Sequence, residues 1–302
     1  MTKVLLLGSN GFLGSYIRKK LEHEYDLINV VRKKTSYEIG NFVEFKDIAA
    51  NYVSLSKNID AIVIACQPNN INCADEAQAL TDAEKINKLV ERIFKRNDGI
   101  NIINISTLQS FKINEFGTTD ESNEKDYSSP YSRVHNISNN FLRENIKNLT
   151  IVYPSNIYGV PLNSDINRKT LVPMCFLEEI HRSNSLTINS HGQQKRNFVG
   201  AEYIANKIRE IIQGQHGLNE SILCSELNLS ISDVAEISIR KALTCGYSDI
   251  RFTKKTITPV PNYDQFRIQS LSKQNIQCYQ DAMDGLCANI EKYIHKIRAR
   301  SK

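Results

Sequence analysis

Three glycines, Gly8, Gly11 and Gly14, stand three residues apart directly after the apolar run Val4-Leu5-Leu6-Leu7. Phe12, Leu13, Ile17 and Leu21 follow at helical spacing with polar residues between them. The pattern predicts a strand, a tight turn and a helix whose first N–H groups point out of the turn. Such a helix start is an anion site, and glycine lets a pyrophosphate come close to the backbone. The expected ligand is a dinucleotide held by Gly8, Asn10, Gly11, Phe12, Leu13 and Gly14, although the spacing is Gly-x-x-Gly-x-x-Gly and not Gly-x-Gly-x-x-Gly. The second predicted strand ends Val30-Val31-Arg32-Lys33-Lys34, without a carboxylate. A carboxylate there would take the ribose 2′-hydroxyl of NAD, whereas Arg32 suits a 2′-phosphate; NADP is therefore expected ahead of NAD.

The elements that must position this turn alternate between strand and helix. Strands are predicted at Val4–Leu7, Leu27–Val31, Val43–Phe45, Ala61–Ala65, Ile100–Ile105 and Leu149–Val152. Helical patterns lie at Phe12–Glu22, Ile48–Ser56, Ala74–Arg96 and Tyr131–Asn145, and the polar residues 110–129 read as a long surface loop. This is the signature of an α/β protein with a doubly wound parallel sheet, the Rossmann arrangement. Beyond it the texture changes. Helices are predicted at Leu171–Arg182, Ala201–Gln213, Ile231–Thr244 and Asp281–Arg298, with short strands at Leu186–Ile188 and Ile222–Cys224. The expected division is a dinucleotide-binding domain over 1–153 and a smaller C-terminal substrate-binding lobe over 154–302, with part of 190–225 returning to the first.

The totals exclude several classes. The chain has 302 residues, 41% of them hydrophobic, yet no apolar stretch approaches the ~20 residues of a membrane span. Seven scattered cysteines, with no Cys-x-x-Cys pair and no nearby Cys/His cluster, read as reduced thiols without a metal site. Together with an N-terminus that enters the first strand almost at once, they point to the cytoplasm. The net charge of +5 comes partly from residues 292–302, which read as a solvated helix end and not as a nucleic-acid arm.

Six further segments, in order, resemble the extended short-chain dehydrogenase/reductase family, within it the nucleotide-sugar epimerases, dehydratases and ketoreductases. They are Phe45-Lys46-Asp47, Ile103-Asn104-Ile105-Ser106-Thr107, Tyr131-Ser132-Arg133-Val134-His135, Tyr153-Pro154-Ser155-Asn156-Ile157-Tyr158-Gly159, the run from Gly192 through Arg196-Asn197-Phe198-Val199, and Phe266-Arg267 followed by Ser272-Lys273. The resemblance implies that Asp47, Ile48, Ala65 and Tyr153 add to the cofactor site. It implies a nucleotide-sugar substrate, contacted by Asn156, Val172, Arg196 and Arg267, and a homodimer built on the tyrosine helix and its neighbour. It implies that Tyr131 exchanges a proton with a sugar oxygen, and that Thr107, in preference to Ser106, holds that oxygen.

Ser129 suits the cap of this helix, Pro130 its first position, and Tyr131 shares a face with residue 135 one turn on. The family carries lysine at that place, which depresses the tyrosine pKa and binds the nicotinamide ribose; this chain carries His135. Histidine, with a reference pKa of about 6.5, is mostly neutral at pH 7. Two outcomes stay open: a working replacement that still binds cofactor, or a site without strong catalysis. Tyr153 likewise stands where the family has arginine. The resulting expectation is an NADP(H)-dependent reductase of a 4-keto-6-deoxy nucleotide sugar, in surface polysaccharide synthesis. An epimerase using bound NAD is the alternative. Dehydration is disfavoured, since Leu108-Gln109 replace the dehydratases' Asp-Glu pair. A non-catalytic dinucleotide-binding protein is the alternative of another class.

Overall fold

The computed structural model of the chain describes residues 1–33, 41–114, 117–163, 166, 171–214, 219–255, 267–268 and 270–300. Its first elements are β1 (Lys3–Leu7), α1 (Phe12–Leu21), β2 (Asp26–Val31), β3 (Phe42–Glu44), α2 (Phe45–Ser56), β4 (Ala61–Ile64), α3 (Glu76–Phe94) and β5 (Asn101–Ile105). Then come β6 (Thr118–Thr119), α4 (Pro130–Asn145), β7 (Leu149–Pro154), β8 (Asn156–Tyr158), α5 (Met174–Ser183), β9 (Ser185–Ile188), β10 (Lys195–Gly200) and α6 (Ala201–Ile212). The chain closes with β11 (Glu220–Ser225), β12 (Asn228–Ser230), α7 (Ile231–Thr244), β13 (Arg251–Lys254), β14 (Arg267–Ile268), β15 (Ile276–Gln277) and α8 (Tyr279–Ala299). Two compact units result: Met1–Lys112 with Glu121–Pro154 and Glu202–Ile222, and Ile113–Asp120 with Ser155–Ala201 and Leu223–Lys302.

The main sheet is parallel and eight-stranded, in the order β15-β11-β7-β5-β4-β1-β2-β3. Val4 pairs with Leu27 on one side and with Ala61 on the other, so the strand order reverses at β1. Ligands of doubly wound sheets bind at that reversal, beyond the carboxyl ends of the strands. The strands form as they do because residues 4–7 and 61–64 are almost wholly buried, as parallel strands covered on both faces require. In the second unit, β12-β10-β8 form a three-stranded sheet, β13 pairs with β9 and β14 with β6, and α5 packs on α7 and α8. No helix among the described residues is long and apolar enough to cross a membrane.

Several expectations need correction. Residues 110–129 are not all surface loop. Ser110, Phe111 and Thr119 are buried, Phe111 bridges to Lys125, and β6 pairs with β14 through Thr118↔Arg267. The third strand ends at Glu44, because Phe45 already opens α2. The helix expected from Leu171 starts at Met174: a residue preceding proline is barred from helical geometry, which excludes Val172 before Pro173. The run 222–224 is the middle of a longer strand, Glu220–Ser225, of the main sheet.

One buried amide ties the second unit's small sheet together. Asn197 on β10 is fully buried; its Oδ1 accepts from Ser155 Oγ at 2.7 Å and Ser225 N at 3.1 Å. Its Nδ2 donates to Ser225 O at 2.6 Å and Asn228 Oδ1 at 3.1 Å. All four amide valences are filled, so neither a carboxylate nor an apolar group can substitute. Asn197→Asp puts a charged oxygen against two acceptors. It should cost about 3 kcal/mol, read as a lower urea midpoint at pH 7; an unchanged midpoint would refute the role given to this amide.

Candidate functional site

The turn after β1 is built from backbone contacts that leave no space for side chains. Gly8 has φ +87°, and a Cβ there would lie 2.7 Å from Cys66 Cβ and 2.9 Å from Ala65 O. A Cβ on Gly14 would fall inside the Gly8 carbonyl. Gly8 N and Ser9 N donate to Val30 O, which draws the end of β2 to the turn. Gly11 caps α1 in extended conformation with no side-chain bond and no acidic residue in the first turn, so the helix's positive end is left for an anion. The residues present therefore fit a diphosphate, with Phe12 and Leu13 buried behind the turn.

Around this turn the structure brings most of the other expected cofactor residues into one unit. Ala65 supplies the carbonyl beneath Gly8. Arg32 is exposed at the end of β2; burial pushes the Cys66 thiol up to about 12, opposed by the charge of Arg32. Asp47 is exposed in the first turn of α2, with Ile48 fully buried beside it. Lys34 lies outside the described residues. Arg18, two turns along α1, was not anticipated: its guanidinium donates to Asn10 Oδ1 at 3.2 Å and lies over Phe42 at 5.3 Å. It holds the side chain in the glycine turn, a role that no local spacing signals.

Ser129 caps α4 through a capping box with Ser132, and Pro130 occupies the first turn. Tyr131 is half-buried against Cys73, Ala79, Ala83 and Val134, and its ring meets His135 edge-on with centroids 4.6 Å apart. Arg133 fixes this helix start with bonds of 2.8 and 2.7 Å to Glu76 and two more to the carbonyls of Tyr127 and Ser128. His135 is 3% exposed. Its Nε2 lies 3.0 Å from Pro68 O and its Nδ1 3.3 Å from Ser106 Oγ, and burial pushes its pKa down to about 4. The residue in the lysine's place is thus a neutral ring. Thr107, at the end of β5, is buried and accepts a bond from Gln109 N at 3.3 Å, which leaves its own hydroxyl hydrogen to donate.

The side chain of Tyr153, expected on the cofactor, has no exposed surface. Its hydroxyl sits 2.8 Å from Arg143 Nη2 and 3.0 Å from Glu220 Oε2, while Lys125 lies over the Phe111 and Tyr153 rings and bonds Glu220 at 2.9 Å. Burial, then the charge of Glu220, hold this phenol far above its ordinary pKa. Burial opposes ionisation of Glu220, but bonds from Arg143 and Lys125 outweigh it and hold the carboxyl low. Tyr153 thus anchors the segment after Thr107.

The expected substrate residues belong to the second unit. Asn156 is exposed on β8 and donates to Asn197 O at 3.0 Å; Arg196 is exposed on the neighbouring β10. Val172 precedes α5. Arg267 lies on β14, which pairs with β6 and not with that small sheet, and Phe266 is outside the described residues. Among the described residues, no group of three or more His, Cys, Asp or Glu is arranged to hold a metal.

Fold and turn together define a dinucleotide-binding α/β protein of the doubly wound kind. The sequence pattern of the NAD dependent epimerase/dehydratase family matches residues 4–220, and the chain belongs to that family. It is similar to a UDP-glucuronic acid 4-epimerase from Bacillus cereus solved with UDP-glucuronic acid and NAD (16% identity, 98% of this chain and 100% of that one, TM-score 0.76). It is also similar to a UDP-glucose 4-epimerase from Thermotoga maritima solved with UDP-glucose (16%, 100% of both chains, TM-score 0.72). An L-threonine dehydrogenase from Phytophthora infestans is as similar (14%, 99% and 100%, TM-score 0.74). At these identities the likeness is one of fold. A search of curated sequences finds no match.

The buried imidazole makes stability depend on pH. With a folded pKa of about 4 against an ordinary 6.5, the unfolded chain binds protons more readily between those values. The contribution is complete above pH 6.5 and is lost as pH falls toward 4, with about 2 kcal/mol gone by pH 5. The melting temperature should therefore fall more between pH 7 and 5 in the native chain than in His135→Asn. Parallel curves would contradict a neutral His135.

Proposed function

We propose that the protein is a cytoplasmic NADP(H)-dependent reductase of a 4-keto-6-deoxy nucleotide sugar, serving surface polysaccharide synthesis. The observation that carries this reading is the neutral, buried ring of His135 where a cation would otherwise stand. Reduction requires a proton for the oxygen that gains charge at the sugar carbon, and a neutral phenol is the form that donates it. Oxidation of a hydroxyl, the opening step of an epimerase, requires a phenolate. A free phenol, with a pKa of about 10, is ionised roughly once in a thousand molecules at pH 7. Residue 135 offers an aromatic edge and no charge, which suits the donating direction.

The bound dinucleotide would rest on the turn from Gly8 to Gly14 and supply the hydride. Arg32 at the end of β2 supports a 2′-phosphate, and hence NADP over NAD. Tyr131 gives its proton to the new alkoxide and recovers it from water. Thr107 donates a hydrogen bond to the same oxygen and orients the carbonyl. Arg196 and Arg267 would take the nucleotide phosphates through their planar forks, with Asn156 beside Arg196 on the small sheet. The resemblance to 4-epimerases favours a second reading, a nucleotide-sugar epimerase using bound NAD. The neutral His135 leaves a third, a dinucleotide-binding protein without catalysis.

Incubation of the protein with NADPH or NADH and UDP-, dTDP-, CDP- and GDP-linked 4-keto-6-deoxy sugars separates the three. Oxidation of NADPH with one of these substrates is expected, with NADPH raising the melting temperature more than NADH. Tyr131→Phe should lower kcat at least about a hundredfold while keeping the dinucleotide-induced thermal shift. Exchange of C4 configuration without net cofactor consumption would establish the epimerase instead, and cofactor binding with no turnover the non-catalytic protein.

A further inference from the structure

The buried polar side chains around His135 form a directed circuit, and its direction follows from its last member. Pro68 O only accepts, so His135 Nε2, 3.0 Å away, carries the ring hydrogen. Nδ1 of the neutral ring is then an acceptor, and Ser106 Oγ, 3.3 Å away, donates to it. With its hydrogen committed, Ser106 Oγ accepts from Asn139 Nδ2 at 2.9 Å. That orientation turns Asn139 Oδ1 to Asn104 Nδ2 at 2.8 Å. Asn104 Oδ1 in turn accepts from Gln67 Nε2 at 3.3 Å. Gln67 and Pro68 are consecutive, so five hydrogen bonds leave the segment after β4, cross β5 and α4, and return to the same segment. Asn104 and Asn139 have no exposed surface, and Ser138 Oγ braces Gln67 at 2.9 Å.

We infer that this circuit is a positioning device: it holds the segment after β4 and the Ser106-Thr107 end of β5 in fixed relation to the helix that carries Tyr131. His135 is its last donor, a positioning residue, and both of its ring nitrogens are spent inside the protein, so neither serves a ribose. The three elements it joins are those that supply the wall under Gly8, the hydroxyls of residues 106 and 107, and the phenol. Polar side chains linked in this way orient one another, because each bond fixes which atom of the next side chain donates and which accepts. What the circuit positions rests on the reductase reading; that the circuit exists and has one direction does not.

A directed circuit transmits a change from one end to the other. Asn139→Asp removes the donor at residue 139 without touching the histidine. Ser106 then turns its hydrogen to the new carboxylate, and its oxygen accepts from Nδ1–H. His135 takes a proton from solvent, donating from Nε2 to Pro68 and from Nδ1 to Ser106. NMR of protein labelled with 15N-histidine at pH 7, with His135 assigned from His135→Asn, reads this directly. The native chain should show hydrogen on Nε2 only, and Asn139→Asp hydrogen on both nitrogens. A native Nδ1–H ring, or a His135 spectrum indifferent to Asn139→Asp, would overturn the proposal.

Should Asn139→Asp not fold, Ser106→Ala gives the same decision. The Nδ1 resonance should move to that of an unbonded nitrogen with Nε2–H retained, Ser106→Thr should restore it, and an unmoved resonance refutes the circuit. With a turnover assay, Ser106→Ala should lower kcat about tenfold at nearly constant KM for the dinucleotide, and Ser106→Thr should recover it. Spectra as expected without turnover would refute the reductase alone; turnover with contrary spectra would refute the circuit alone.

Discussion

Backbone lies directly on backbone between the first and third glycines, and the architecture of the first unit depends on that contact. A single methyl on Gly14 would enter the Gly8 carbonyl, and one on Gly8 would strike Cys66 and Ala65. Only in this closed turn does α1 start at the reversal of strand order with its first N–H groups directed outward. Val30 accepts from both Gly8 and Ser9, so the same turn also fixes the end of β2, and with it the place of Arg32. One piece of close packing thus sets both the start of α1 and the end of β2.

A second constraint is electrostatic. The first unit buries a run of amides and hydroxyls with one imidazole, Asn87, Asn104, Ser106, Ser110, His135, Asn136, Ser138 and Asn139. Apolar residues would stabilise such a layer at least as well. Polar ones restrict it to one arrangement, since each unmet donor or acceptor costs about 1–3 kcal/mol. Asn136 donates to Ser110 O at 3.0 Å and Asp126 O at 2.7 Å and so holds both ends of the segment beyond Thr107. The same segment is gripped on its other side by Lys125, Arg143 and Glu220 around Tyr153.

These two constraints bear on chemistry in different ways. A lysine one turn beyond the tyrosine would bring a charge; the buried histidine brings only an oriented ring. On the reductase reading proposed above, that exchange suits proton donation better than proton abstraction. In the second unit the logic repeats on a smaller scale: one satisfied amide, Asn197, ties β10 to the chain on either side and leaves the neighbouring Arg196 and Asn156 exposed.

The residues 4–21 are legible without coordinates because everything that shapes them is local: an apolar run, glycine spacing and helical periodicity act within a few residues. The alternation through residue 152 and most later helices are legible for the same reason. So is the start of α4, where Ser129, Pro130 and Tyr131 follow one another. Side chains whose meaning depends on distant partners are not legible. Sequence marks His135 as a departure, but only packing against Pro68 and Ser106 makes it neutral and enclosed. Tyr153 looks like an eroded contact residue until Glu220, 67 positions away, meets its hydroxyl. The pairing of β6 with β14 joins segments far apart in the chain, and nothing in either predicts it. Periodicity reports which face of an element is apolar; the dielectric around a titratable group and the partner that satisfies it are properties of the folded interior alone.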